Sequence, residues 1–165
     1  RAPRFRDLIA ALEAQKARLT SGMRVVRHGD LEFTGLEPRA PSSAFGLNDN
    51  SLVIRASYGD FSVLLTGDVE RRGEARLLAS PNRLRSSILK VPHHGSRTSS
   101  SPALLAAIRP ELAVSQSADA GLFAFPHPEV EERYDVLGIP LWITGRHGAL
   151  TVVSDGAGWH VYGPD

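Results

Sequence analysis

Two short apolar runs constrain most tightly what this chain can fold into. Leu64-Leu65-Thr66-Gly67-Asp68 ends in a carboxylate, and Val91-Pro92-His93-His94-Gly95-Ser96, about 25 residues later, ends in two imidazoles. Each run stops abruptly at side chains that bind metals. Buried strands of this kind deliver a carboxylate and imidazoles to the edge of a rigid sheet, where they can act as metal ligands. The chain has six histidines, and none forms a dense H-x-H-x-D-H cluster. The pattern suggests a metallohydrolase with half of its metal shell absent.

Composition narrows the class. With 165 residues, 42% of them hydrophobic, the chain can bury one ordinary core, and residues 1–165 are expected to form a single domain. A net charge of +1 gives no global electrostatic case for nucleic-acid binding, so any such contact has to be local. The absence of cysteine excludes disulfides and thiolate metal sites and suits an oxidising, extracytoplasmic setting. No apolar stretch approaches the ~20 residues of a transmembrane helix, and no signal peptide is visible. The opening Arg1-Ala2-Pro3-Arg4, without methionine, reads as a piece of something longer.

Periodicity predicts an alternation of helices and strands. Phe5, Leu8, Ile9, Leu12 and Leu19 recur at helical spacing, predicting an amphipathic surface helix over 4–19. Strands at about 24–28 and 31–36 flank a hairpin turn at His28-Gly29-Asp30, and the Pro-, Ser-, Gly- and Asn-rich stretch 38–50 reads as a surface loop. Ser51–Ala56 and Phe61–Leu65 are strands joined by Tyr58-Gly59-Asp60. Residues 70–79 are helical and Ile88–Val91 is a buried strand. Ser101 as N-cap and Pro102 at the first helical position start a helix through Ala103–Ile108. Leu112–Ser115 is a strand, and Pro128–Leu137 a helix. Strands at about 139–143, 149–153 and 158–162 are expected to close the chain as an antiparallel meander. There is no internal repeat and no low-complexity segment. The order of elements is that of a mixed α/β layered domain.

The chemistry concentrates at the two run ends. Gly67 lets the backbone turn tightly, freeing Asp68 to point into a cleft, where a carboxylate can bridge two cations for phosphate-ester hydrolysis. Asp68 also precedes a helix, so an N-cap is the competing reading, and both can hold. Adjacent side chains at a strand end diverge, so one of His93 and His94 can bind metal while the other contacts substrate or a second metal. An ordinary pair of satisfied histidines is the bland alternative; the apolar approach strand and Asp68 favour function. Gly95 and the hydroxyls of Ser96, Thr98, Ser99, Ser100 and Ser101 form a donor-rich loop before a helix, flanked by Lys90 and Arg97 and suited to an anion such as phosphate. His127, held between Pro126 and Pro128, is a third candidate, with an N-cap-like role as its alternative. His28, His147 and His160 receive no role. Trp142 and Trp159 read as packing, and no aromatic-plus-basic stripe for single-strand binding is visible.

Four stretches carry a resemblance: Asn48-Asp49-Asn50-Ser51-Leu52-Val53-Ile54; Phe61 to Thr66-Gly67-Asp68-Val69-Glu70; Leu89-Lys90-Val91-Pro92-His93-His94-Gly95-Ser96-Arg97-Thr98-Ser99-Ser100-Ser101-Pro102; and Pro126-His127-Pro128-Glu129-Val130. Together they resemble the metallo-β-lactamase-type domain of the ComEC family, membrane channel proteins for DNA uptake in natural transformation. The resemblance runs from the first helix to the strand Gly148-Ala149-Leu150-Thr151-Val152, and Lys90–Pro102 is its most specific part. It implies an αββα sandwich, of which this chain is the C-terminal portion without the N-terminal metal-binding segment. It implies two divalent metals, Zn or Mn, at the sheet edges, bridged by Asp68. The His93-His94 pair supplies a late histidine, with His94 favoured and His93 left open. Asp68 and His94 are then the catalytic residues, and Lys90, Ser96, Arg97, Thr98, Ser99 and His127 face the substrate. The implied setting is extracytoplasmic, on an integral membrane protein. The implied partners are the remainder of that protein and DNA, the strand that is not imported being degraded. No small-molecule cofactor is implied.

The departures from the family pattern are equally informative. The H-x-H-x-D-H cluster belongs upstream of this chain's beginning. The segment Asn48-Asp49-Asn50-Ser51 supplies no imidazole, and Phe125 stands where relatives often carry a histidine. One Asp and one or two His do not hold two metals, so this chain alone is expected to bind metal weakly and to leave DNA uncut. Two further readings stay open: a phosphodiesterase or lactonase of the same superfamily acting on other substrates, and a non-catalytic module guiding DNA through backbone contacts.

Overall fold

The computed structural model describes residues 3–16, 24–37, 44–118 and 125–164. The first helix, α1, spans Pro3–Ala14, beginning one residue before the 4–19 expected and ending five residues short of it; Leu19 lies outside the described residues. Then come β1 (Val25–His28), β2 (Leu31–Glu37), β3 (Val53–Tyr58) and β4 (Phe61–Leu65), paired antiparallel in chain order. The β1–β2 and β3–β4 hairpins turn on Gly29-Asp30 and Gly59-Asp60, each glycine at a positive φ near 57°. Such two-residue turns match the twist of the strands they join. Gly59 has a second reason to lack a side chain, because a Cβ there would lie 2.5 Å from the Gly156 carbonyl oxygen.

After β4 the sheet changes character. Strands β5 (Ile88–Lys90), β6 (Leu112–Ser115) and β7 (Leu141–Ile143) add in parallel, completing a seven-stranded mixed sheet in chain order. Each is reached through a helix: α2 (Arg71–Leu78), α3 (Pro102–Ile108) and α4 (Pro128–Val136). A parallel strand needs such a crossover, and its two covered faces demand an unbroken apolar run. Ile88-Leu89 and Leu112-Ala113 meet that demand and are buried. Leu89 and Ala113 pack with Leu64, Leu104, Leu105, Ile108, Val130 and Tyr134 in the core.

The expected terminal meander is not formed. β7 runs parallel to β6, and after a short helix α5 (Thr144–His147), β8 (Thr151–Ser154) and β9 (Trp159–Tyr162) pair only with each other. The crossover through α4 returns the chain to the end where β6 began, so β7 must run in the same direction. Side-chain alternation carries no information about direction.

Because β4, β5 and β6 are parallel, their carboxyl ends open on one edge of the sheet. The turns carrying Asp68, His93-His94 and Gln116 all leave from that edge. In open α/β sheets, ligands bind at such an edge.

Candidate functional site

The turn after β4 is built to expose one carboxylate. Buried Thr66 donates its hydroxyl to the Lys90 carbonyl at 2.8 Å, locking the end of β4 to β5. Gly67 then takes φ +57°, and a Cβ there would sit 2.9 Å from that of Ser51. Ser51 Oγ accepts the Asp68 N–H at 3.0 Å, which leaves the Asp68 side chain 43% exposed. The capping role lies elsewhere. Glu70 occupies the N-cap position of α2, and Asp49 supplies the side-chain acceptor, its Oδ1 taking the N–H of Glu70 at 3.1 Å and of Gly73 at 2.7 Å.

The turn after β5 is strained. His93 (φ +46°) and His94 (φ +55°) are both left-handed, at a cost of about 1–3 kcal/mol each. Contacts from three sides hold it. His93 N–H donates to the Gly67 carbonyl at 3.1 Å, Ser115 Oγ to the His94 carbonyl at 2.9 Å, and His127 N–H to the Gly95 carbonyl at 3.0 Å. Gly95 (φ +91°) leaves room for Pro126, whose Cβ would be 2.5 Å from a side chain at that position.

The geometry separates the two imidazoles. His94 Nδ1 lies 2.6 Å from the Gln116 carbonyl oxygen, which can only accept, so Nδ1 carries the hydrogen. The other ring nitrogen, Nε2, stands 3.5 Å from Asp68 Oδ1. His93 points elsewhere, with Nδ1 3.1 Å from Glu70 Oε1 but out of hydrogen-bonding alignment.

The other expected site residues divide into two groups. Lys90 Nζ donates to the Gly67 carbonyl at 2.9 Å and stands 3.5 Å from Asp68 Oδ1. Burial pulls its pKa down, against the upward pull of the Asp68 charge. Thr98 Oγ1 donates to Glu70 Oε1 at 2.9 Å, so the 3.0 Å contact between Ser96 and Thr98 takes its proton from Ser96. These groups gather around Asp68 and Glu70. The rest do not join them as closely. Ser99 is buried, with its hydroxyl turned onto the carbonyls of Pro92 (3.0 Å) and Ser96 (2.9 Å). Arg97 faces Glu129 at 3.5 Å on the exposed rim. His127 sits at the N-cap position of α4, its ring edge-on to Phe125 with centroids 5.1 Å apart.

Glu70 is the residue that pattern reading undervalued. An acid at the start of a helix ordinarily serves the helix dipole, yet Glu70 Oε1 accepts from Thr98 and from Asn48 Nδ2 (3.3 Å) beside His93. Its only sequence signal is an acid two positions beyond Asp68. A buried layer supports the loop from below. Glu74 accepts the Ser101 N–H at 3.1 Å, Ser100 Oγ meets the Tyr134 hydroxyl at 3.1 Å, and Arg133 donates to the Ser99 carbonyl at 2.8 Å. Burial raises the pKa of Glu74, and that of Tyr134 further still.

The donor set fits one side of a cation shell. A carboxylate oxygen and an imidazole nitrogen stand 3.5 Å apart, both of them atom types that bind divalent cations, with Lys90 Nζ 3.5 Å from the same oxygen. His94 is oriented through its far nitrogen in the manner of metal-binding histidines. Among the described residues, no cluster of three or more His, Cys, Asp or Glu is disposed to hold a metal ion.

No family model matches the chain. Individual relatives do. The competence protein ComA of Neisseria gonorrhoeae is 39% identical over 113 residues, covering 67% of this chain and 16% of that protein. ComE operon protein 3 of Bacillus subtilis is 30% identical over 126 residues, 76% of this chain and 16% of its own length. These relatives support a ComEC-family competence protein. The uncharacterized protein YcaI of Escherichia coli K12 is 32% identical over 132 residues, 79% of this chain and 17% of its own length. The chain thus spans 16–17% of the length of these three relatives. Among the described residues, no helix is long and apolar enough to cross a membrane.

Proposed function

We propose that this chain is the C-terminal portion of a metallo-β-lactamase-type nuclease domain in a ComEC-like DNA-uptake protein, lying outside the membrane and degrading the strand that is not imported. The seven-stranded sheet is then one layer of an αββα sandwich. The observation that carries the reading is the convergence of Asp68 Oδ1 and His94 Nε2 at the carboxyl edge of parallel strands, with His94 Nδ1 anchored on the Gln116 carbonyl.

In this reading Asp68 and His94 hold a divalent cation, Zn or Mn. The second oxygen of Asp68 is available to another, and an H-x-H-x-D-H segment of the parent protein supplies the remaining ligands. Divalent cations, when bound, supply Lewis-acid stabilisation of phosphoryl charge and activation of water. The chain's own residues set the geometry. Gln116 keeps the His94 lone pair aimed at the site, and Lys90 holds the Gly67-Asp68 turn. Glu70 orders Thr98, Asn48 and the neighbourhood of His93. The Ser96 hydroxyl is spent on Thr98 and that of Thr98 on Glu70, so both order the loop, as Ser99 does from inside it, while Arg97 and His127 line the rim.

The experiment compares cleavage of linear DNA in Mn²⁺ or Zn²⁺ by the 165-residue chain and by a longer stretch of the parent protein that includes the upstream cluster. The longer protein is expected to cut, and Asp68→Ala to abolish cutting, while the chain alone is inactive. Turnover by the chain alone that disappears in Asp68→Ala would overturn the shared-shell reading. A longer protein that hydrolyses lipid or cell-wall phosphodiesters or lactones, and leaves DNA intact, would overturn the substrate.

A further inference from the structure

The opposite edge of the sheet, at the amino ends of β4, β5 and β6, borders a cleft of about 710 Å³. Arg55, Arg83, Arg85 and Arg109 line it, from three segments: β3, the connection between α2 and β5, and the end of α3. Two of them are held in a particular way. Arg55 Nε donates to the Arg85 carbonyl at 2.9 Å, and Arg109 Nε to the Ala106 carbonyl at 3.3 Å. These bonds fix both guanidiniums in the cleft lining with Nε spent on backbone; the Arg55 charge also faces the Glu32 carboxylate, and the terminal nitrogens of a guanidinium suit phosphate oxygens. Arg109 reaches its position through a left-handed backbone at the end of α3 (φ +50°).

The lining has four guanidiniums against three carboxylates, Glu32, Asp60 and Glu111. Glu32 is already gripped by Arg27 at 2.6 and 2.9 Å and by Thr34 at 3.0 Å, and Glu111 accepts from Trp159 at 3.4 Å. A smaller adjoining cleft shares Asn82, Arg85 and Arg109 and adds Pro81, Ala106 and Ala107, so the two arginines stand where the clefts meet and the groove runs past them. Guanidiniums spread along a groove suit repeated charges better than a single compact anion.

We propose that this groove is a second nucleic-acid site, binding the phosphodiester backbone of a single strand at the edge of the sheet remote from Asp68 and His94. The choice of DNA as ligand rests on the proposed function, whereas the groove stands on its own geometry. The test uses the full chain, a fluorescent single-stranded oligonucleotide and anisotropy titrations in EDTA across a salt series. EDTA removes any contribution from cations and cleavage, so the outcome is independent of the nuclease experiment. The double substitution Arg85→Gln/Arg109→Gln, at two exposed side chains, is expected to lower the salt slope by about 1.4 and affinity at 0.1 M salt by about 25-fold, since each single-strand phosphate contact is worth ~0.7 in slope. Arg85→Lys/Arg109→Lys restores the slope. Full displacement of the oligonucleotide by inorganic phosphate at low millimolar concentration would assign the groove to a small anion and overturn the proposal. An unchanged slope in the glutamine variant would also overturn it.

Discussion

Asp49 offers the sharpest test of how this site is assembled. It sits in the stretch before β3 that lacks any imidazole, yet its buried Oδ1 accepts two N–H groups from the start of α2, at 3.1 Å from Glu70 and 2.7 Å from Gly73. Asp49→Ala leaves the buried Gly73 N–H without a partner, which costs about 1–3 kcal/mol, and removes a carboxylate from the positive end of the helix, about 0.5–1 kcal/mol more. Loss of the bond to the half-buried Glu70 N–H brings the expected total to roughly 2–4 kcal/mol. Asp49→Asn keeps an acceptor oxygen in place and is expected to lose only the dipole part, about 0.5–1 kcal/mol. Urea unfolding followed by circular dichroism measures both. At about 2–4 °C per kcal/mol for a chain of this size, Asp49→Ala should also melt roughly 5–12 °C lower. The reasoning fails if Asp49→Ala loses less than about 1 kcal/mol, or if Asp49→Asn is as damaging as Asp49→Ala. Glu70 connects this stability change to the site, because its main chain is tethered by Asp49 while its side chain holds Thr98 and Asn48.

Three further outcomes are expected. Gly95→Ala should lower stability by roughly 2–4 kcal/mol in thermal melts, because φ is +91° and the new Cβ would meet Pro126 Cβ at 2.5 Å and Cα at 2.8 Å; a loss under about 1 kcal/mol would mean that the His127 loop does not seat on the histidine turn. Glu74 has its pKa raised by burial, so the folded state holds its proton more tightly, and its contribution to stability is largest below the ordinary glutamate range and declines as pH rises through the folded value. Urea midpoints of Glu74→Gln and the native chain should therefore diverge in favour of the variant as pH increases from 4 to 8, and a difference that does not vary with pH would refute this. In the longer parent protein, calorimetric Mn²⁺ titration should show His94→Ala weakening binding by about a hundredfold and His93→Ala by about tenfold at most, with the reverse order refuting the assignment of the ligand.

The chain's pattern was most legible where one physical constraint dominated. Phe61–Leu65 and Leu112–Ser115 appear with the expected bounds, because an apolar strand between polar turns has few alternatives. Ser101-Pro102 starts α3 as the capping rule requires, with Ser101 Oγ accepting the Leu104 N–H at 3.3 Å. The direction of β7 was not legible, since it depends on where the preceding crossover delivers the chain. The pairing of β8 with β9 alone was hidden for a similar reason. Which neighbour a strand finds is decided by contacts distant in sequence, such as Asp60 N–H on the Gly156 carbonyl at 2.7 Å.

The site was legible as residue types and illegible as roles. Asp68 carried two readings because the residues before a helix are good caps and good ligands for the same reason, an exposed oxygen at a chain turn. Asp49, nineteen positions upstream, takes the capping bonds of α2, and Asp68 faces His94 and Lys90 instead. His93 and His94 are equivalent in the sequence. What distinguishes them is a main-chain carbonyl, that of Gln116, whose position no side-chain pattern encodes. Lys90 shows the limit from the other side. Its charge beside a hydroxyl-rich loop suggested a phosphate contact, but its ammonium is folded back onto the Gly67 carbonyl, where it fixes the turn that presents Asp68. Roles at this edge are therefore assigned by backbone carbonyls meeting from three parallel strands. A substitution that preserves every side chain of the motif but shifts β6 relative to β5 should disturb the site as much as loss of a ligand.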